Sequence, residues 1–457
     1  MIRVLKKGGL VLALFAVVWL AVIIWWQESR TLPTGVDIGL YLFALPLAIL
    51  AAIWIGARMV RAARAPKAAP AQAQTEAQSD APARPTALRL IAAAARAAPG
   101  ENVAAIAEAL AEQKRPELDA ELKTPQGYPI FAARVAGMDD MALYAAARDR
   151  GAPADALAAA TLRVTAMLAD VAQVLTHEAH ARATELDVPA READWPRLHL
   201  DVVVPAAWSE AARHRALAAV RSAAGAWPDA RIHITEHPAR DGMATDHLLR
   251  QIAAEPTAES ANARAEPQWR IVLAGDGYID AEQVAHWDGL ATLLTHANPQ
   301  GRVPGEAAAG LLLAPPDAQA EFHVTLSPML QRQKSADARG ALAEASLADL
   351  ARDLLQAAAV EPGAVGRIVS DGDHRGARPL EPLNVASQVF DHLDAAKDCQ
   401  AVGMTCGHTG AAASLLTLAV ACETCLQFDQ PVLTLTLQDP ALRAAALVSR
   451  PAASATA

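Results

Sequence analysis

The chain has 457 residues, 53% of them hydrophobic but only 4% aromatic, with a net charge of −10 at neutral pH. Four cysteines in that length argue against a disulfide-stapled scaffold, and the apolar content against disorder throughout. Residues 1–67 hold eight basic side chains (Arg3, Lys6, Lys7, Arg30, Arg58, Arg61, Arg64, Lys67) against Glu28 and Asp37, so the rest holds 32 basic and 48 acidic ones. A body that acidic, with no dense basic patch, repels a phosphate backbone, and no nucleic-acid partner is expected.

Two uncharged runs of 20 residues come first, GGLVLALFAVVWLAVIIWWQ after Lys7 and IGLYLFALPLAILAAIWIGA after Asp37. At about 1.5 Å per residue, each is long enough for a hydrocarbon core of roughly 30 Å. Trp25, Trp26 and Trp54 sit near the span ends, where amphipathic rings favour the headgroup level, and a mid-span Pro46 is tolerated in a membrane helix. A cleaved signal peptide would be shorter, would end in an A-x-A site and would not be followed by a second span. A transmembrane hairpin is therefore expected over 1–64, with the bilayer as its partner. Cations flank both outer ends, whereas the connecting loop has only Arg30, so both termini are expected in the cytoplasm. The chain then reads as a multi-pass protein of a bacterial inner membrane with its large domain cytoplasmic, a reducing setting that suits unpaired cysteines.

Residues 65–86 are rich in Pro, Ala and Gln without apolar periodicity and read as a linker. Residues 87–194 read as mostly helical, from LRLIAAAARAA through ENVAAIAEALAEQ and DDMALYAAARD to ADALAAATLRVTAMLADVAQVL. QGYPIFAARVAGM (126–138) is the exception, a strand or loop. After Trp195 the period changes. Strands are expected at 198–206, 231–236, 269–276 and 308–316, with helices at 208–225, 243–253 and 280–295 between them. The alternation resumes with strands at 321–328 and 367–373, helices at 338–359, 382–396 and 410–426, and a terminal pair of strands, PVLTLTLQD and ALRAAALVS. This is an α/β pattern in two similar halves, although no repeat is visible in the sequence.

Three passages carry a family likeness: GRVPGEAAAGLLLAP (301–315), SDGDHRGARPLEPLN (370–384) and GHTGAAASLLTLAVAC (407–422) with the strands that follow it. They resemble the β-ketoacyl synthases and the wider thiolase-like superfamily over about 195–450. Pro304, Gly305, Glu306, Gly407 and Gly410 are the motif positions. The resemblance implies a five-layered α-β-α-β-α duplicated domain, and a homodimer formed through the first-half sheet.

The chemistry of such condensing enzymes is not implied in the same way. They use a Cys at a helix N-terminus in the first half, where the helix dipole and a nearby His lower its pKa. Here no Cys precedes Cys399. The 32 residues between the strands at 231–236 and 269–276, a span that looks short for the usual elements, hold Asp241, Asp246, His247 and Ser260 but no Cys. His408 matches a motif histidine and is the candidate catalytic residue, with Cys406 beside it. His374 is near in order to the second such histidine, but its surroundings differ.

Other constellations read as structural. Cys422 and Cys425 form a C-x-x-C on an apolar helix, while Cys399 and Cys406 are too far apart for a zinc knuckle, so core packing is favoured and no metal is expected. His177-Glu178-Ala179-His180 misses H-E-x-x-H by one residue and reads as a solvated helix face. Glu306 reads as a structural acid. No cofactor motif is present. The reading is a non-catalytic thiolase-like scaffold or adaptor at the membrane, engaging a protein partner. Its likeness to degenerate thiolase-like proteins found with type VI secretion effectors implies that process. The alternative is an acyl-binding or acyl-transfer enzyme of the ketosynthase class using His408.

Overall fold

A computed structural model describes residues 85–451 except 187–188, 190, 256–267, 317, 339 and 344–345, together with 18–20, 22, 24–25, 40 and 45–46. The chain forms two compact units, Met1–Pro82 and Ala83–Ala457. In the first, residues 18–20, 22 and 24–25 are helical, and Trp19, Leu20, Ile24 and Trp25 all expose their side chains. Apart from residues 40 and 45–46, the rest of the expected hairpin, including Trp26 and Trp54, and nearly all of the linker lie outside the described residues. Among those described, one helix is apolar and long enough to cross a membrane, Gly410–Phe428, and it is mostly buried inside the second unit.

The second unit is built from thirteen strands and ten helices among the described residues. Its N-terminal part runs β1 (Thr86–Ala97), α1 (Val103–Ala111), β2 (Glu117–Lys123), β3 (Pro129–Ala132), α2 (Asp140–Asp149) and α3 (Ala159–Leu186). The chain continues with β4 (Arg197–Pro205), α4 (Glu210–Ala223), β5 (Ile232–Ala239), α5 (Ala244–Ala254), β6 (Gln268–Gly277), α6 (Ala281–Gly289) and β7 (Glu306–Leu313). The second half holds β8 (Phe322–Leu326), β9 (Leu330–Gln331), α7 (Ser346–Ala358), β10 (Arg367–Ser370), α8 (Leu380–Val389) and β11 (Cys399–Ala401). It closes with α9 (Val402–Cys406), α10 (Ala413–Phe428), β12 (Val432–Thr436) and β13 (Leu442–Ser449).

One sheet runs in the order β11-β10-β12-β13-β8-β1-β7-β6-β4-β5, with β9 paired to β13 off this path. Its two halves match in order and polarity. β4 lies parallel to both β5 and β6, as β10 does to β11 and β12. β6 meets β7 antiparallel and β7 meets β1, as β12 meets β13 and β13 meets β8. β1 and β8 join the halves as antiparallel neighbours. The duplication is thus structural, carried by topology after residue identity has diverged.

Three apolar cores give five layers. Met167, Leu168 and Leu175 of α3 and Val220 of α4 pack on Leu198, Leu200, Ile271 and Leu273 at the outer face of the first half. On the second half, Leu347 and Leu354 of α7 and Val385 of α8 pack on Ile368, Leu433 and Leu435. Between the halves, Leu415, Leu416 and Val420 of α10 and Leu249 of α5 meet Val203, Val272 and Ala309 on one side and Val369 and Val432 on the other. Helix α10 is buried all round, which explains why its sequence is apolar on every face.

Two readings of the sequence are corrected. LRLIAAAARAA is not a helix but most of β1, a strand between β7 and β8. A strand covered by helices on both faces reads as a continuous apolar run, and alanine's helix propensity yields to the need for small side chains under α10 and α3. Residues 87–194 accordingly belong to the same compact unit as 195–450 and supply the first strand of its first half. The span between the second and third first-half strands is also long enough, since it holds α5. Expected helices at 280–295 and 338–359 are shorter, covering Ala281–Gly289 and Ser346–Ala358.

Ala309 of β7 is fully buried against the central helices. Ala309→Leu should lower stability by about 1–3 kcal/mol through overpacking, while Ala104→Leu on the exposed face of α1 should stay within about 0.5 kcal/mol. Urea midpoints of the two variants check this.

Candidate functional site

The motif residues meet where β6 and β7 approach the turn between α9 and α10. Gly407 and Gly410 take φ of 67° and 49°, a left-handed region that disfavours side chains. A Cβ on Gly410 would collide with the Asp276 carboxylate and the Tyr278 hydroxyl, and one on Gly305 with the Cys406 carbonyl. Backbone therefore touches backbone here. Pro304 and His408 form a parallel bridge, and the His408 N–H donates to the Val303 carbonyl at 2.8 Å. The Tyr278 N–H donates to the Gly305 carbonyl at 2.9 Å and the Ala133 N–H to the Pro304 carbonyl at 2.8 Å.

His408 is 9% exposed. Its ring centroid lies 5.0 Å from that of Tyr278 and 5.6 Å from that of Trp287, the latter edge-on. Its Nδ1 is buried without a hydrogen-bond partner. Burial, reinforced by Arg302, Arg375 and Arg378, holds its pKa well below the usual imidazole range, so the ring is neutral at pH 7. Asp276, at the end of β6, accepts from the Ala411 N–H and the Tyr278 hydroxyl, both at 3.0 Å, and burial raises its pKa to about 6.

Glu306 sits apart from this chemistry. It is fully buried and takes three hydrogen bonds from the Arg163 guanidinium, at 2.6, 2.8 and 3.1 Å, and one from the Val135 N–H at 2.7 Å. Its role is to tie α3 and the segment after β3 to the start of β7.

Helix α5 begins beside the His408 turn. The Thr245 hydroxyl donates to the Ala411 carbonyl at 2.6 Å, and the Ser414 hydroxyl donates to Asp246. This is the first-half counterpart of α10, and its N-terminus faces the same turn. The residues there are Asp241, Gly242 and Met243, and Met243 is 1% exposed. The four thiols lie elsewhere. Burial raises Cys406 and Cys399 to about 12, Cys425 to about 11 and Cys422 higher still, so none is a thiolate at neutral pH. Cys406 is fully buried, with its backbone carbonyl against Gly305.

In the second half, Asp371 follows β10 and accepts from the N–H groups of Leu437 and Gln438, and burial raises its pKa to about 7. His374 is half-buried and its Nε2 has no partner. Of the residues expected to mark the site, Pro304, Gly305, Cys406, Gly407, His408 and Gly410 come together. Glu306 adjoins them structurally. Asp276, Tyr278 and Trp287 were missed, although Gly-Asp-Gly-Tyr directly after a strand was a signal, since strand ends in α/β sheets present side chains to a central crevice.

No family model and no curated protein matches the chain. Solved structures do. The ishigamide ketosynthase/chain length factor is similar with a TM-score of 0.52 and 14% identity, over 80% of this chain and 100% of that one. The ketosynthase from module 6 of the bacillaene synthase from Bacillus subtilis 168 gives a TM-score of 0.52 and 12% identity, over 80% and 72%. A β-ketoacyl synthase from Burkholderia phymatum STM815 gives 0.50 and 13%, over 80% and 100%. The chain therefore has the mixed α/β fold of the thiolase-like ketosynthases. At these identities the likeness concerns fold.

Asp276 gives a pH signature. Its folded pKa of about 6 stands above the unfolded value, so the folded state binds the extra proton between roughly pH 4 and 6 and stability falls as pH rises through that window. Asp276→Asn should remove this contribution, leaving a shallower fall in urea midpoint from pH 4 to 6 than the parent shows.

Proposed function

We propose that this chain is a non-catalytic thiolase-like scaffold or adaptor anchored in a bacterial inner membrane. The observation that carries the reading is the start of α5, where Asp241, Gly242 and a buried Met243 stand, while His408 is neutral and burial holds all four thiols, Cys406 included, protonated. A Claisen-type condensation needs an acyl carrier residue at that helix N-terminus, and Asp241-Gly242-Met243 offers none. What remains is a rigid duplicated body whose glycine contacts preserve the fold without the reacting atom.

The anchor rests on the two uncharged runs, their flanking cations and the exposed Trp19, Leu20, Ile24 and Trp25. A protein partner is the corresponding assignment. One similar solved structure is a type II acyl-carrier protein in complex with its ketosynthase, an example of this fold holding a smaller protein. A second copy is the other partner: β5 is an edge strand of eight residues at the end of the sheet, open to pairing. Type VI secretion is the process we assign, on the likeness to degenerate thiolase-like proteins found with its effectors.

One preparation tests the reading: the full-length chain with a C-terminal alkaline phosphatase, captured from detergent-solubilised membranes. The phosphatase should be inactive in cells, as expected of a cytoplasmic terminus, and His408→Gln should bring down the same proteins in the same amounts as the parent. Phosphatase activity would overturn the topology. Loss of the complex on His408→Gln, in a variant that melts like the parent, would favour the ketosynthase-class enzyme.

A further inference from the structure

Beside the His408 pocket lies a cleft of about 500 Å³ whose lining includes Thr292, Asn298, Gln300, Arg302, Asp337 and Arg375. Arginines are numerous here for so acidic a chain. Two of the three in this cluster have carboxylate partners: Arg378 pairs with Asp337, and Arg375 Nε donates to Asp373 at 2.7 Å. Arg302 has none. Among the described residues its guanidinium makes no ion pair and lies 5.6 Å from the centre of the Trp287 ring. Arg375 is only 5% exposed, yet its Nη2 is buried without a hydrogen-bond partner.

A buried guanidinium N–H left unpaired is costly, and a half-buried cation without a counter-charge adds to that. Such a cost is relieved by an anion with several acceptor oxygens. A guanidinium fork suits phosphate geometry because it can present two parallel N–H donors. Among the described residues, the one acid lining the cleft, Asp337, is already engaged by Arg378 and so does not fill the role. At the rim, the Asn298 NH2 is spent on the carbonyls of Ala291 and Leu293, whereas Gln300, whose carbonyl accepts from the Gly376 N–H, offers its NH2 as a neutral donor.

We infer that this cleft binds a phosphate group, free or as a monoester, between Arg302 and Arg375. The inference stands whether the protein is an adaptor or an enzyme. Its contact with the rest of the pocket runs through Arg302, which lies against Trp287, which in turn lies edge-on to His408.

Titration calorimetry on the detergent-solubilised full-length chain at constant ionic strength tests this, with inorganic phosphate in one arm and glycerol 3-phosphate in the other. Saturable heat is expected in at least one arm, weakened at least tenfold by Arg302→Gln. Binding of inorganic phosphate alone assigns a free-phosphate site, and equal or tighter binding of the ester assigns a phosphate-ester site. An independent reading needs no variant: phosphate should slow phenylglyoxal modification of Arg302, mapped by peptide mass. No saturation in either arm, unchanged affinity in Arg302→Gln, or no protection of Arg302 would overturn the inference.

Discussion

The fold depends on one close approach of backbone to backbone. Helix α10 can occupy the layer between the two sheet halves only if the turn leading into it passes directly against the β6–β7 edge. Gly305 and Gly410 permit that passage, because a side chain at either would overlap a carbonyl or a carboxylate. Once the turn is seated, the Pro304–His408 bridge and the Asp276 hydrogen bond to Ala411 fix where α10 starts. The alanines of β1 and β7 then let the helix lie close to the sheet. Glu306 and Arg163 lock the opposite side of the same junction in a buried pair, whose one-sided loss would cost about 3–5 kcal/mol.

The same geometry explains how His408 is held. The contacts that hold His408 in place are made by its backbone and its ring face, not by a proton relay. Met243, at the start of α5, is buried and apolar and needs no hydrogen-bond partner. The arginines at the neighbouring cleft reinforce the neutral state of His408 and give that side of the pocket a positive field.

Much of this was legible from residue order. The strand–helix alternation after Trp195 placed β4, α4, β5, α5, β6 and β7 within a few residues, because parallel strands between helix layers are short runs of Val, Leu and Ile bounded by turns. The glycine motifs located the central turn. Two things were hidden. β1 was masked by alanine, whose local preference for helix is overridden by a sheet that needs small side chains on both faces. The packing of Tyr278 and Trp287 against His408 was hidden because it joins residues more than a hundred positions apart. The arginine cluster likewise joins the segments around residues 302 and 375, and neither is unusual by itself.

The central claim is that no residue of this pocket carries an acyl group. Incubating the full-length chain with an acyl-coenzyme A thioester and recording its intact mass tests that claim most directly. The account predicts an unchanged mass over many hours at neutral pH. An added acyl mass mapping to the pocket, at Cys406, His408 or the start of α5, would contradict it.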